Sequence, residues 1–425
     1  MSAIKRPVRY KYSTDELMSL VDLFNVSPQG QEDIRKTLQK EPNPPVSPLF
    51  RYYNPNSRVE QFEKEFGKKI NSEYVLAVNS GTSALIAALV AAGVGPGDEV
   101  IVPAYTFFAS VSAIVVAKAI PVITEIDESL TLDVGAIEKN ITSRTKAIMV
   151  VHMVGHAARM DAICDIAKKY NLRVIEDVAQ ACGGKYKGKF LGTWGDLGCI
   201  SLDAYKVIGT GEGGLITTND EWLYTRAQSY HDTAACWRPD RYGSERKPGE
   251  LFCGENYRLS EMAGAIGLVQ LKKMDWINDS TRKIYMQLRN EIKLPACAQW
   301  ITPNDLDGVC GYTLGILFDS AENAHKACDL NENFGSLSGR AMAGAKDWHV
   351  YWYWEHILEQ KTATQEGCPF KCSMVKDLPK YSVDMCPRTK DIMLRTVFMA
   401  IQPTDTSEWA SQFSAELNKS FAKAF

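Results

Sequence analysis

The sequence lacks the features that would mark a membrane-spanning, nucleic-acid-binding or disulfide-framed protein. No stretch approaches the roughly 18 uninterrupted apolar residues of a membrane span. The N-terminal MSAIKRPVRYKYSTDE contains no apolar run resembling a secretory signal. Neither charge sign is in excess: 48 basic against 51 acidic residues leave a formal charge of -3. No net positive field therefore recruits nucleic acid or an anionic membrane, and a phosphate-bearing small molecule would have to be bound locally. Eleven cysteines, an odd number dispersed over 425 residues with no CxxC pair, argue for reduced thiols acting as small buried hydrophobes. Internal repeats and low-complexity tracts are also missing. These absences predict a soluble, cytoplasmic, globular protein, and a chain that is 45% hydrophobic is long enough for a large two-domain enzyme.

What is present is alternation. Residues 1–50 read as a short helix around residues 15–24 followed by an irregular arm rich in Pro42, Pro44, Pro45 and Pro48. From Glu60 onward, helical patterns alternate with the short apolar runs YVLAV, EVIVP, PVITEI, KAIMVVH, RVIEDV, CISL and GLITT. That texture predicts an α/β fold with a large, mainly parallel sheet and helices on both faces. Connecting helices are expected over residues 83–92, 107–117 and 161–170. LSEMAGAIGLVQLKKMDW (residues 259–276) reads as a long amphipathic helix, with residues 278–290 as its continuation or a second helix. The expected division is an arm over 1–50, a large domain over 51–280 and a smaller C-terminal α+β domain over 281–425.

Three segments carry candidate chemistry. The first is Asn79-Ser80-Gly81-Thr82-Ser83, a small-residue turn opening onto a helix, where backbone N–H groups and the helix dipole can hold a phosphate. Many strand-to-helix turns use such residues for capping alone. The second, RVIEDVAQACGG, puts Asp177 at the end of an apolar strand, where a buried carboxylate needs a cationic partner or serves as a helix cap. A protonated pyridine nitrogen is one such cation. Gln180, three residues on, could reach a cofactor oxygen or cap a turn. The third is Ser201-Leu202-Asp203-Ala204-Tyr205-Lys206, followed by a glycine-dense turn. It can confine Lys206 and make its amine nucleophilic, although most lysines are solvated surface charges.

In the order NSGTSAL, GDEVIVPAYTFFAS, VIEDVAQACGG, GDLGCISLDAYKVIGTGEGG and ENYRLSEMAGAIGLVQL, the chain resembles the DegT/DnrJ/EryC1/StrS family of PLP-dependent sugar aminotransferases, within the aspartate-aminotransferase-like fold. The resemblance spans roughly residues 51–276. It implies pyridoxal 5'-phosphate as cofactor, with pyridoxamine 5'-phosphate as intermediate. Lys206 would be the Schiff-base lysine and proton shuttle, Asp177 the partner of the pyridine nitrogen and Gln180 the neighbour of the phenolic oxygen. Gly81, Thr82 and Ser201 match phosphate contacts, with Ser83 in the same turn, and Phe107 matches the aromatic stacked on the pyridine. Asn256 matches a residue supplied by a neighbouring subunit, which implies a homodimer with shared active sites. The implied reaction moves an amino group from glutamate or glutamine to a keto acceptor: a keto-sugar, often nucleotide-linked, a cyclitol or a related ketone. The alternatives are a PLP-dependent sugar dehydratase, in whose relatives histidine takes the lysine position, and a non-catalytic PLP-binding regulatory subunit.

Departures from the family pattern cluster where an acceptor would be read. Leu202 and Asp203-Ala204-Tyr205 replace the usual residues before the lysine, and Ala157 and Arg159 replace a proline and an acidic residue. His152 and His156 are expected to cap or pack. In the C-terminal third, WHVYWYWEH (residues 348–356) is unusually aromatic and is expected to pack the small domain and roof the mouth of the site. Cys368, Cys372 and Cys386 with His349 or His356 could bind zinc, but their spacing fits no usual ligand template, so no metal is expected. Arg388 and Arg395 could meet a substrate carboxylate or phosphate, or stay solvated.

Overall fold

The seven apolar runs become the seven strands of one sheet. The computed structural model describes residues 14–40, 57–233, 245–337, 346–375 and 377–425. In chain order the strands are β1 (Tyr74–Val78), β2 (Glu99–Pro103), β3 (Ile120–Thr124), β4 (Thr145–Val151), β5 (Arg173–Asp177), the small hairpin β6 (Lys185–Tyr186) and β7 (Lys189–Phe190), β8 (Leu197–Ser201) and β9 (Gly214–Thr218). The large sheet has the order β1-β9-β8-β5-β4-β2-β3. Only β9 runs against its neighbours, so β1, β2, β3, β4, β5 and β8 all point the same way.

Both faces of this sheet are covered, which explains why its strands read as unbroken apolar runs. Successive side chains alternate between two apolar clusters: Leu76, Val100, Val102, Met149 and Ile175 face one, while Val75, Ala77, Ile101, Ile148 and Val174 face the other. The helices Gly81–Ala91 and Phe108–Val116 cover the first face; Arg58–Ile70, Met160–Tyr170 and Glu261–Leu271 cover the second. The segment GTSALIAALVA has no polar stripe because it is buried nearly all round. A second sheet, ordered β10-β11-β13-β12, is antiparallel and built from β10 (Ala298–Trp300), β11 (Thr313–Phe318), β12 (Phe334–Gly335) and β13 (Thr396–Ala400). With the helices Met274–Glu291 and Ser407–Ala424 it encloses a third apolar cluster.

The structure departs from the sequence reading in three places. The N-terminal segment carries two helices, Thr14–Asp22 and Pro28–Leu38, the second capped by Ser27 with Pro28 in its first turn. Pro42, Pro44, Pro45 and Pro48 lie outside the described residues. Residues 259–276 are not one amphipathic helix: Glu261–Leu271 ends at Lys272, and a separate helix runs over Met274–Glu291. The first of these exposes Ile266 and Val269 on its outward side, so its apolar pattern has no single face. The aromatic segment packs on the large sheet as well as against residues from the second sheet and the helix Pro387–Arg395, such as Leu317, Ile392 and Met393. Val350, Tyr351, Trp354 and Ile357 belong to the same cluster as Leu85 and Met149, because the unpaired backbone after β2 offers hydrogen bonds and buried space for the rings.

His156 is fully buried; its Nδ1 donates to the Ser129 carbonyl at 3.1 Å, and Nε2 has no partner among the described residues. Burial pushes its pKa down to about 4, against the pull of that carbonyl. The folded chain thus refuses a proton that the unfolded chain accepts below its ordinary value of about 6.5. Stability should fall by at most roughly 3 kcal/mol from this group as pH drops from about 6.5 to about 4. Denaturant unfolding at pH 7 and pH 5 checks this; His156→Gln should flatten the dependence.

Candidate active site

Because β1, β2, β4, β5 and β8 are co-directional, their C-terminal ends share one edge of the sheet, the usual location of a ligand crevice in open α/β sheets. That edge gathers the turn 79–82, Phe107, the loop 153–155, Asp177 with Gln180, and Ser201 with the turn that carries Lys206. Gly214 of β9 pairs with both Val78 and Ser201, so the first turn and the end of β8 stand level with each other.

Asp177 is the last residue of β5 and is buried. Its Oδ2 accepts from Ser110 Oγ at 2.7 Å, and Ser110 is linked to Thr106 Oγ1 at 2.7 Å; Oδ1 accepts from the Ala179 N–H at 3.0 Å. Burial raises the carboxyl pKa, while those two donors and the charges of Lys206 and His152 pull it down. Among the described residues no ion pair neutralises it. The site therefore holds a buried carboxyl group with hydrogen bonds to both oxygens and no ion-pair partner among the described residues.

Lys206 lies in the turn between β8 and β9, which closes through Leu202 N–H to Gly213 O at 2.8 Å, Thr210 N–H to Leu202 O at 2.8 Å and Ala204 N–H to Gly211 O at 3.1 Å. The lysine is partly buried beside Tyr205, whose side chain is 95% exposed. Across the crevice, Ser80 caps the helix Gly81–Ala91 by accepting the Ser83 N–H at 3.0 Å. Ser83 is buried, and its hydroxyl bonds Asn79 Oδ1 at 2.7 Å and Ser80 Oγ at 2.9 Å, so it braces the turn. The N–H groups of Gly81 and Thr82 are left at the positive end of the helix. A Cβ on Gly81 would come within 2.7 Å of Ser201 Cβ, which is why a glycine stands there and why the Ser201 hydroxyl joins the same cradle.

Gln180 Oε1 accepts the Val154 N–H at 3.0 Å. Phe107 is 49% exposed and caps the start of the helix Phe108–Val116, leaving a ring face for a ligand. Asn256 is exposed, next to Tyr257, whose carbonyl accepts the Asn79 N–H at 2.7 Å. The structure thus brings Gly81, Thr82, Ser201, Lys206, Asp177, Gln180 and Phe107 to one crevice, with Asn256 on its outer side.

Several participants were not singled out from sequence. Ser110 is one helical turn past Phe107, and nothing local ties it to a residue 67 positions away. The connection after β2 is clasped by the aromatic segment: Thr106 N–H donates to His349 O at 2.8 Å, Phe108 N–H to Trp348 O at 3.0 Å, and Tyr351 N–H to Ala104 O at 3.1 Å. This places the His349 ring 5.3 Å from that of Phe107, with His349 Nδ1 2.7 Å from Asp347 Oδ1. The contact holds the Asp347 carboxyl below its ordinary range despite its burial.

The other candidates are occupied elsewhere. Arg388 is tied to Asp133 and Glu128, and Arg395 to Asp391 and the Phe318 carbonyl. No group of three or more His, Cys, Asp or Glu among the described residues is placed to hold a metal ion. Cys386 is buried against the Ile123 carbonyl, and the His356 ring lies against Phe108 and Trp348.

Comparison with known proteins identifies the family and the fold. The model of the DegT/DnrJ/EryC1/StrS aminotransferase family matches residues 51–328. The GDP-perosamine synthase of Escherichia coli O157:H7 is 41% identical over 227 residues, which cover 53% of this chain and 60% of that protein. The dTDP-3-amino-3,6-dideoxy-alpha-D-galactopyranose transaminase of Aneurinibacillus thermoaerophilus is 38% identical over 281 residues, 66% of this chain and 73% of that one. The chain thus matches only about 60% of the length of the first of these relatives. Among solved structures, the aminotransferase from Psychrobacter cryohalolentis superposes with a TM-score of 0.70 at 27% identity, covering 88% of this chain and 93% of its own.

Beneath the crevice, Glu176 anchors the end of β5 from the opposite face. Fully buried, its Oε1 accepts the N–H groups of Trp194 and Gly195 at 2.7 Å each; Oε2 accepts Gly192 N–H at 2.8 Å and pairs with His152 Nε2 at 3.1 Å. Since His152 Nδ1 accepts the Ala158 N–H at 3.1 Å, Nε2 carries the proton. An amide at position 176 would point its NH2 at donors in either orientation. Glu176→Gln should therefore cost about 2–4 kcal/mol in denaturant unfolding, from donors left unsatisfied; a loss below about 1 kcal/mol would contradict this wiring.

Proposed function

The chain belongs to the DegT/DnrJ/EryC1/StrS aminotransferase family, and from that premise we propose that it is a PLP-dependent aminotransferase. It moves an amino group from glutamate or glutamine to a keto acceptor, most simply a nucleotide-linked keto-sugar, with a cyclitol or related ketone in the same chemical class. Family membership implies pyridoxal 5'-phosphate, and the crevice residues fit that group. One observation carries the reading. A buried carboxylate without an ion pair, a lysine, and a helix N-terminus with a serine set against it share one sheet edge.

When bound, pyridoxal phosphate supplies an aldehyde that condenses with amines and a protonated ring that withdraws electrons from the bond being broken. The chain's own residues do the rest. Gly81 and Thr82 N–H groups and the Ser201 hydroxyl hold the phosphate. Asp177, kept in place by Ser110 and Ala179, holds a proton on the ring nitrogen, and that cation offsets the desolvation of its carboxylate. Phe107 would cover one face of the ring, and Gln180 would donate to its phenolic oxygen. Lys206 Nζ would hold the cofactor and, once freed by the amino donor, would be the base that carries the donor's α-proton to the cofactor and, in the return half, carries one back to the acceptor carbon.

A second copy of the chain is the proposed partner, with Asn256 reaching the phosphate of the neighbouring site. The exposed apolar side chains of Tyr205, Ile266, Val269 and Trp276 support that reading. No disulfide joins the described cysteines, which supports a reducing compartment such as the cytoplasm. No described helix is long and apolar enough to cross a membrane.

Lys206→Ala should retain the fold and lose on the order of 10³-fold or more in turnover, measured with glutamate or glutamine against a panel of keto-sugars, cyclitols and keto acids. Multiple turnover at the wild-type rate would remove Lys206 from the mechanism. Asp177→Asn should weaken PLP binding and turnover together by roughly 10- to 100-fold; wild-type values would exclude the ring-nitrogen role. In the wild type, the visible band acquired with PLP should fade on adding the amino donor. A band that ignores both donors would favour a binding subunit over an enzyme.

A further inference from the structure

The amide of Gln180 has two chemically different ends, and only its NH2 can donate to a ligand oxygen. Which end faces the crevice depends on what holds the other. Val154 N–H donates to Oε1 at 3.0 Å, and the Tyr312 hydroxyl lies 3.4 Å from the same oxygen while donating to the Gln180 carbonyl at 2.7 Å. The hydroxyl's single proton goes to the Gln180 carbonyl, so the Val154 N–H is the donor that fixes Oε1, and Nε2 is left without a partner among the described residues. We propose that Tyr312, on the segment entering β11, is a positioning residue that holds the Gln180 backbone and the Val154 loop in the register where Val154 takes Oε1 and Nε2 faces the cofactor. This rests on the cofactor assignment made above.

The surroundings of Tyr312 argue for a built device and against an incidental contact. Val154 adopts a left-handed backbone with φ of 51°, a costly conformation for a β-branched residue that persists only where neighbours enforce it. The next residue, Gly155, lies directly against Tyr312: a Cβ there would come 2.9 Å from Tyr312 Cε1. The Cys310 N–H donates to the Gly155 carbonyl at 3.1 Å, and the Cys310 carbonyl accepts from Thr281 Oγ1 at 2.7 Å. Tyr312 itself is held through its carbonyl by the Ile401 N–H at 2.8 Å. Elements of the second sheet and the helix Met274–Glu291 thus bolt the tyrosine in place, and the tyrosine sets both the strained loop and the amide. Desolvation pushes the pKa of its hydroxyl well up, so it stays a donor throughout the working pH range.

The consequence is electrostatic. A donor aimed at the cofactor's phenolic oxygen stabilises the ionised form of that oxygen and lowers the proton affinity of the conjugated chromophore. Tyr312→Phe keeps the ring against Gly155 but releases the Gln180 carbonyl, so the backbone position that lets Val154 hold the amide in its donating orientation should be less populated. The test is a pH titration of the visible band of the PLP-loaded full-length protein, as wild type, Tyr312→Phe, Gln180→Ala and the double variant. Tyr312→Phe should raise the proton affinity of the chromophore by roughly three- to tenfold, the worth of one hydrogen bond. In the Gln180→Ala background the same substitution should add nothing. A Tyr312→Phe protein that titrates as wild type, or a shift that persists undiminished in the double variant, overturns the proposal. A wild-type protein that acquires no visible band with PLP overturns the cofactor assignment and this inference with it, an outcome distinct from a normal wild-type band with an unmoved variant.

Discussion

Everything at the site depends on one carboxylate placed where solvent cannot reach it. Asp177 ends an interior strand, and burial alone would drive it to keep its proton. Ser110, the Ala179 N–H and the charges of Lys206 and His152 restrain that tendency without cancelling it, so a cation bound beside the carboxyl would favour its ionised form. The strand that delivers Asp177 is pinned from the other side by Glu176, whose two oxygens gather three backbone donors and a histidine. Adjacent residues of one strand thus do opposite jobs on opposite faces: one carboxylate is saturated and structural, the other is left wanting a charge.

The loops around this carboxylate are held from outside the large sheet. The connection bearing Phe107 is paired along its backbone with residues 348–351, and the loop bearing Val154 is pressed by Tyr312. Chain distant in sequence therefore supplies the rigidity that a pre-organised site requires, so that binding need not first order the loops. The buried rings of Tyr351 and Trp354 stabilise the first clasp through apolar area, and the Asp347–His349 pair stands at its rim beside Phe107.

Much of this was legible in the sequence, for reasons that can be stated residue by residue. The seven apolar runs were readable as strands because both faces of the sheet are covered and no polar alternation interrupts them. The turns that follow them were readable because glycine and serine at residues 79–83 and a glycine-dense stretch after Lys206 are costly unless the backbone needs them. The helix at Pro28–Leu38 was missed because it buries no residue and leaves no apolar stripe to detect. The run at residues 259–276 was misjudged because its first helix is apolar nearly all round, and the break at Lys272 and Lys273 carries no proline or glycine to mark it. Ser110 and Tyr312 left no signal, since each acts through a contact with a residue far along the chain. The aromatic run was conspicuous, but composition could not say that it would join residues of both sheets in one cluster.

The central claim is that one particular amine, that of Lys206, bonds covalently to the cofactor. It is tested most directly by loading the purified protein with pyridoxal phosphate, fixing the bond with borohydride, and mapping the added mass onto peptides. The account predicts a single modified peptide, with the mass on Lys206 at close to one label per chain. Label spread over surface lysines, or absent from Lys206, would contradict it.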